Sequence, residues 1–128
     1  MASDQGGLEQ ISEFQFFTKD EFKCKCCGQT FVSEELIHFL DQARSISGIP
    51  YVIQSGYRCP GHNSEVGSKQ TSSHVKGLAV DIQAINSQER FLILFGLLMA
   101  GFNRVGIGST FIHADIDSSK SVNVCWLY

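Results

Sequence analysis

Two histidines and one aspartate, His74, Asp81 and His113, are spaced so that this chain of 128 residues can hold a metal ion. Catalytic zinc typically has three protein ligands drawn from His, Asp, Glu and Cys, with water in the fourth position. His74 and Asp81 are separated by the six residues VKGLAV and converge if His74 lies on the turn that enters a strand. The spacing also fits a His74 that caps a turn and an Asp81 that faces solvent.

Two strand-like segments would position these ligands. In residues 78–82 large apolar side chains alternate with small or polar ones, so this strand buries one face and presents Asp81 on the other. In residues 111–117 the same alternation places an imidazole and two carboxylates on one face, namely His113, Asp115 and Asp117. Residues 51–54, 104–106 and 122–128 are predicted to be further strands.

Helices are predicted around these strands from their capping residues. Ser33 caps a helix that ends at Gly48, and Asn86 or Ser87 caps a second helix that ends at Gly101. The second helix contains the run FLILFGLLMA and is apolar nearly all round, which predicts that it packs against a sheet. A capping box at residues 18–21 predicts a short helical turn, and residues 56–73 are predicted to be an irregular functional loop.

Together these segments predict an α+β fold, with a central antiparallel sheet that carries the zinc site on one face. The helices that begin near Ser33 and Ser87 are expected on the other face. Residues 1–12 have few apolar anchors and are predicted to be a flexible lead, which leaves 13–128 as a single domain.

Composition and charge limit the possible partners. A net charge of -3 gives no basic field for a polyphosphate, so nucleic acid is not expected as a partner. The run at residues 91–100 is about half of the roughly 20 residues that cross a bilayer, so no membrane insertion is expected. The N-terminus lacks a secretory signal, which predicts synthesis in the cytoplasm. We expect a monomer.

Five cysteines form no even-numbered disulfide framework of the secreted kind. Cys24, Cys26 and Cys27 have C-x-C-C spacing, which is not a standard zinc knuckle, and Cys59 and Cys125 lie far away in sequence. Free thiols, a redox-dependent disulfide with Cys59 or Cys125, and a second structural metal remain open.

Several motifs occur in a fixed order along the chain: SGYR at 55–58, HN at 62–63, VG at 66–67, SH at 73–74, GLA-x-DI at 77–82, GIG at 106–108 and FIHAD at 111–115. In this combination the chain resembles the zinc D-Ala-D-Ala carboxypeptidase family of peptidoglycan peptidases. It is most similar to the small single-domain versions in bacteriophage genomes, and the resemblance extends over nearly all of the chain. The hedgehog signalling domain shares this superfamily fold.

The resemblance implies one catalytic Zn²⁺ bound by His74, Asp81 and His113. Arg58 would be a catalytic residue that holds a carboxylate of the peptidoglycan stem peptide, for which its guanidinium fork is suited. A structural ion pair is the alternative role for Arg58. Ser73 is a second candidate for substrate binding, or it hydrogen-bonds locally, and His62 would hold its loop in place.

The implied reaction is hydrolysis of a D-amino-acid-containing peptide bond, in which a carboxylate takes a proton from zinc-bound water. In better-known members an acidic residue lies three positions before the last histidine, and here that position is Thr110. Asp115 is therefore predicted to be the catalytic base, ahead of Asp117 and Glu65. Its alternative role is to orient His113.

Three readings of function follow. The first is a phage lysin or wall-remodelling peptidase that leaves the cytoplasm through a holin pore or with the virion. The second is a binding module that keeps the metal but lacks turnover, which Thr110 favours. The third is a purely structural zinc whose fourth position is closed by a cysteine such as Cys59. Both the stem-peptide bond that is cut and the choice between carboxypeptidase and endopeptidase stay open.

Overall fold

The computed structural model describes residues 14–67 and 72–128, so the predicted flexible lead at 1–12 lies outside the described residues. The helical elements are a short 3-10 helix at Lys19–Phe22, α1 at Glu34–Ser47, α2 at Pro60–Glu65 and α3 at Ser87–Ala100. The strands are β1 at Ile53–Ser55, β2 at Ala79–Gln83, β3 at Arg104–Ile107, β4 at Phe111–Asp115 and β5 at Val124–Leu127.

The two long helices begin and end at the residues that their caps predict. The Ser33 side chain accepts a hydrogen bond from Leu36 N, and Gly48 ends α1 in the left-handed conformation with φ of 74°. The Asn86 side chain caps α3 by accepting from Glu89 N, and Gly101 ends that helix in the same way. Local side-chain chemistry alone fixes these boundaries.

The five strands form one sheet with the order β1-β2-β4-β3-β5. The first four strands pair antiparallel, whereas β5 pairs parallel with β3. The α+β class is confirmed, but the sheet is mixed and not purely antiparallel. The reason is topological: β2 and β3 occupy both edges of β4, so the last strand cannot pair with β4 and joins the free edge of β3. The chain leaves β4 beside the start of β3, where Val124 N donates to Asn103 O at 3.0 Å, and therefore continues parallel to it.

The sheet has one face for the core and one for the candidate site. Val80, Ile82, Ile112 and Ala114 are fully buried in the same core cluster as the apolar side chains of α1 and α3. Their strand neighbours Asp81, His113 and Asp115 point to the opposite face because side chains alternate along a strand. The placement of the helices opposite the site is as predicted.

Helix α3 packs mainly against α1, and less against β4, so the prediction that it sits against the sheet holds only in part. Gly96 explains the close approach, because a Cβ there would collide with Ser47 Oγ and the Ala43 carbonyl oxygen of α1. The opposite side of α3 is exposed and carries Phe91, Phe95, Leu98 and Met99. Among the described residues, no helix has the length and apolar character needed to cross a membrane.

Residues 56–73 were predicted to be irregular, but they contain the one-and-a-half-turn helix α2. Cys59 is its N-cap, and its Sγ accepts a hydrogen bond from His62 N at 3.4 Å. Pro60 occupies the first helical position, where its fixed φ is favourable and its missing N–H is not needed. The helix is too short to produce an apolar periodicity that sequence reasoning detects.

Candidate metal centre

The sheet register brings the three predicted metal ligands together. Asp81 on β2 and His113 on β4 are direct cross-strand partners, and His113 Nδ1 lies 2.9 Å from Asp81 Oδ1. His74, on the turns before β2, places its Nε2 3.4 Å from the same oxygen. The three donor atoms all lie within 4.8 Å of one another. Three side chains of kinds that zinc accepts as ligands therefore face a common point.

Hydrogen bonding fixes the orientation of the His74 ring. Its Nδ1 lies 2.8 Å from the backbone oxygen of Gly56, which can only accept a hydrogen bond, so Nδ1 carries the proton. Nε2 is then left with its lone pair directed toward Asp81. This is the arrangement of a metal-binding histidine whose other ring nitrogen donates to a carbonyl group.

The His113 ring is held by carboxylates on both sides. Its Nε2 lies 2.7 Å from Asp115 Oδ2, while Nδ1 faces Asp81. Because an ionised Asp115 can only accept, it fixes the proton on Nε2 and frees Nδ1 as a ligand atom. Burial lowers the pKa of His113, but hydrogen bonds to Asp115 and Asp81 raise it overall.

Asp115 is almost completely buried and its carboxylate is fully engaged. Oδ1 accepts from Arg104 Nε at 2.6 Å and from Asp117 N at 3.1 Å, and Oδ2 faces His113. Burial raises the pKa of Asp115, but the bonds from His113 and Arg104 lower it below its usual range. A carboxylate with a lowered pKa and no unused oxygen is a weak proton acceptor. These contacts argue against the base role predicted for Asp115 and favour the alternative of orienting His113.

The electrostatics of Asp81 suit a metal ligand. Burial raises its pKa, but its close contacts with the His113 and His74 rings hold the pKa well below its usual range, so the carboxylate is ionised near neutrality. Two imidazole nitrogens with fixed orientation and one ionised carboxylate form a donor set that fits Zn²⁺. The residues present therefore fit the metal that the resemblance implies.

A cavity of about 240 Å³ opens over this centre. Its lining includes three aromatic side chains and three cationic ones, together with two carboxylates; these are Phe111, Trp126, Tyr128, Arg58, Arg104, Lys120, Asp81 and Asp115. Because Arg104 is paired with Asp115, an anionic or carboxylate-bearing ligand would be attracted mainly by Arg58 and Lys120.

The two residues predicted to bind substrate differ in whether their side chains are available for binding. Arg58 lines the cavity and is half-buried, and burial lowers its pKa while the charge of Asp81 raises it. Ser73 also lines the cavity, but it is 3% exposed and its hydroxyl donates to Asp117 Oδ2 at 2.7 Å. Lys120 Nζ donates to the same hydroxyl at 3.0 Å. The local hydrogen-bonding alternative for Ser73 is the better description of these contacts.

The remaining base candidates lie elsewhere. Asp117 Oδ1 accepts from Ser119 Oγ at 2.6 Å, and Lys76 Nζ lies 3.1 Å from Asp117 Oδ2. Glu65 is exposed and groups with Cys26 and His62 instead of with the metal ligands. Thr110 is exposed in the β3–β4 turn and is not among the residues that line the cavity.

Cys59 does not close the metal centre. Its Sγ lies with those of Cys24 and Cys27, and it is not among the residues that line the cavity. The reading in which Cys59 is the fourth ligand of this zinc is therefore wrong in its geometry. His62 is on α2, near Cys26, in agreement with a role in holding its own segment.

Sequence reasoning missed the side chains that complete the cavity from β3 and β5. The parallel pairing of these strands places Gly106 opposite Trp126, and a Cβ at Gly106 would collide with the Trp126 ring. Arg104 bonds Asp115 and stacks on Trp126, with its guanidinium carbon 5.2 Å from the ring centre. The glycine of the GIG motif was the one available signal that another group lies close to β3.

A mixed sheet that presents two histidines and an aspartate to a cationic cavity defines a zinc-peptidase type of α+β domain. The sequence profile of the family described as Peptidase M15 matches residues 15–115 of the chain. The chain therefore belongs to the M15 family of zinc-dependent D-Ala-D-Ala carboxypeptidase-type peptidases, and the predicted family is confirmed. None of the curated proteins compared with the chain matches it.

Proposed function

We propose that this domain is a zinc metallopeptidase that hydrolyses a D-amino-acid-containing peptide bond of the peptidoglycan stem peptide. Membership of a zinc-dependent peptidase family supports the class of reaction. The observation that carries the proposal is the convergence of His74 Nε2, Asp81 Oδ1 and His113 Nδ1 at the floor of a cationic cavity.

One Zn²⁺ bound by these three residues would polarise the scissile carbonyl group and lower the pKa of a coordinated water. Arg58 binds a carboxylate of the stem peptide through its guanidinium fork, since it lines the cavity beside Asp81. Trp126 and Tyr128 also line the cavity and offer aromatic surface against which the bound peptide can pack. Asp115 acts as a positioning residue that keeps the proton on His113 Nε2.

We place the activity at the bacterial cell wall, during phage lysis or on the virion, with the domain acting as a monomer. The test is hydrolysis of purified peptidoglycan, followed by the release of new amino groups, with the zinc content measured on the same sample. His74→Ala is expected to lose both zinc at this centre and activity. His38→Ala is the matched control, because His38 is exposed on α1 and its ring contacts Phe14, 4.8 Å away.

Mass spectrometry of defined stem peptides then separates the carboxypeptidase from the endopeptidase reaction. Release of a single terminal D-alanine identifies the first, and cleavage of a cross-bridged dimer identifies the second. Activity that survives His74→Ala at full loss of zinc from the centre would overturn the proposed chemistry.

A zinc-containing binding module is the second candidate function. The contacts of the acidic residues favour it. Among the described residues, the carboxylates that line the cavity are those of Asp81 and Asp115, and both are engaged by neighbouring side chains instead of being free to act as a base. A module of this kind would carry full zinc, bind peptidoglycan in a pull-down, and release no amino groups from any wall type.

A further inference from the structure

Four of the five cysteines lie together at a second place in the fold. The Sγ atoms of Cys24, Cys27 and Cys59 all lie within 4.8 Å of one another. The Sγ of Cys26 lies 4.0 Å from that of Cys59. The fifth, Cys125, is exposed on β5 and joins none of the metal-ligand groups found among the described residues. We call Cys24, Cys26, Cys27 and Cys59 the thiol cluster.

A tight turn directs two of these thiols to one point. Cys24 N donates to Gln29 O at 2.7 Å, and Gly28 N donates back to Cys24 O at 2.8 Å. Gly28 has φ of 75°, a left-handed conformation that side chains rarely adopt. Cys24 and Cys27 therefore form a C-x2-C pair closed by glycine, the ligand spacing of structural zinc sites. The C-x-C-C spacing of Cys24, Cys26 and Cys27 conceals this pair in the sequence.

Backbone N–H groups point at the sulfur atoms. Cys24 Sγ accepts from Cys59 N at 3.4 Å, and Cys59 Sγ accepts from His62 N at 3.4 Å. These two N–H groups place partial positive charge beside the sulfur atoms of Cys24 and Cys59, which suits a thiolate, the form that binds metal.

We propose that the thiol cluster binds one structural Zn²⁺ through Cys24, Cys27 and Cys59, with Cys26 as the fourth ligand. Tetrahedral zinc with Zn–S bonds of about 2.3 Å places sulfur atoms roughly 3.8 Å apart. The observed 4.0 Å between Cys26 and Cys59 is close to this edge length. Cys26 groups with His62 and Glu65 and not with all three other thiols, so its Sγ would have to move closer to them when the ion binds. A disulfide would need a separation of about 2.05 Å and would use only two of the four thiols.

The ion would join two segments that are far apart in sequence but adjacent at the cavity. Cys24 and Cys59 are 35 positions apart, and Cys59 directly follows Arg58. Arg58 N in turn donates to His74 O at 3.2 Å. The segment that carries Arg58 is therefore anchored by His74 on one side and by the thiol cluster on the other. This inference does not depend on the proposed peptidase activity.

The experiment uses the full chain with His74→Ala and His113→Ala, which removes the candidate metal centre. The variant is purified without oxygen and titrated with Co²⁺ as a spectroscopic probe. We expect one equivalent to bind, with tetrahedral d–d bands and a thiolate-to-metal charge-transfer band in the near ultraviolet. No imidazole–carboxylate site gives that band. Absence of the band, or no bound Co²⁺, would overturn the proposal.

Replacement of single cysteines tests the ligand set on the same background. Cys27→Ser, at an exposed position, is expected to weaken Co²⁺ binding at least tenfold even if Cys24→Ser fails to fold. Cys26→Ser should do the same, and a variant that keeps both affinity and band would remove Cys26 from the ligand set. Cys125→Ser is the matched control and should bind as the parent does.

Thiol reactivity gives an independent measurement on the wild-type chain. With zinc bound, we expect one thiol, Cys125, to react rapidly with a colorimetric disulfide reagent, and four more only after a chelator is added. Five thiols that react at the same rate with and without zinc would contradict the proposal. A Cys26–Cys59 disulfide in zinc-loaded protein would also contradict it, because two of the four proposed ligands would then be oxidised.

Discussion

The replacement Asp115→Asn separates the positioning role of this residue from the role of general base. Asp115 accepts from both Arg104 Nε, at 2.6 Å, and His113 Nε2, at 2.7 Å. An asparagine has the same shape but offers one acceptor oxygen and one donor NH₂ group to these two partners. One of the two contacts must therefore fail.

The direction of the amide decides which contact fails. If its oxygen faces Arg104, its NH₂ group faces His113 Nε2, and the imidazole moves its proton to Nδ1, the proposed ligand atom. If its oxygen faces His113, the NH₂ group faces the Arg104 guanidinium, whose side chain is only 11% exposed. Arg104 loses its counter-ion in both arrangements, because asparagine is uncharged. The first arrangement also blocks metal binding, and the second turns an NH₂ group toward the guanidinium, so that two donors face each other.

The expected losses follow from these two arrangements. Removing a partner that orients a metal-binding histidine typically costs about 10–100-fold in metal affinity or activity, which is about 1.4–2.7 kcal/mol. Breaking a buried ion pair costs about 3–5 kcal/mol. Arg104 also donates to Ser121 O and stacks on Trp126, so we expect a loss of stability near the lower end of that range.

Three measurements on Asp115→Asn are needed: zinc affinity by competition with a chromophoric chelator, urea unfolding with and without chelator, and peptidoglycan hydrolysis at increasing zinc. We expect weaker zinc binding and activity that recovers as zinc approaches saturation. Asp41→Asn is the matched control, because the Asp41 carboxylate accepts only backbone bonds in the described residues, from Gln15 N at 2.7 Å and Phe16 N at 2.9 Å.

The reasoning is refuted if Asp115→Asn keeps wild-type zinc affinity but loses roughly 100–10,000-fold in activity at full occupancy, the range for a missing general base. It is refuted equally if affinity, stability and activity are all unchanged, because the contacts of Asp115 would then have no consequence.

Three further predictions concern the surroundings of the centre. Arg58→Lys keeps the charge but loses the bidentate fork, so KM for stem peptides should rise about tenfold with a smaller change in kcat; an unchanged KM would remove Arg58 from substrate binding. Gly77→Ala should destabilise the domain by more than about 1–2 kcal/mol, because φ is 73° and the new Cβ collides with the Phe31 carbonyl oxygen. In urea unfolding Gly48→Ala should cost less, since it has φ of 74° but open space around it. Burial raises the pKa of Asp117, but serine and lysine donors hold this pKa well below its usual range. The ionised carboxylate therefore stabilises the fold above about pH 4, and this stabilisation is lost as the pH falls below that value. Asp117→Asn should flatten this acid dependence of the unfolding free energy.

Local chemistry explains why much of the fold could be predicted. The caps Ser33, Gly48 and Gly101 act on their own helices, and the alternation around Asp81 and His113 needs only a strand. The helix ends and the faces of the strands therefore follow from short stretches of sequence. That the two strands are neighbours was predicted from the family resemblance.

The parts that were missed depend on contacts between distant segments. β5 pairs with β3 only after the chain has crossed the end of the sheet. No local sequence pattern therefore predicts the direction of β5 or the position of Trp126. Cys59 reaches Cys24 across 35 positions, and no spacing rule joins them. The sequence around Arg104 does not distinguish it from other arginines on strands. Its ion pair with Asp115 forms only because β4 places Asp115 beside it.

The cross-strand partnership of Asp81 and His113 has a consequence for assembly of the sheet. A slip of one residue between β2 and β4 would place Ile112 opposite Asp81 and turn His113 toward the helices. The slipped chain would have no metal site, so an ion that binds only the correct pairing selects it by mass action. Metal added during refolding should therefore favour the correct register between β2 and β4, in addition to binding the protein once it has folded.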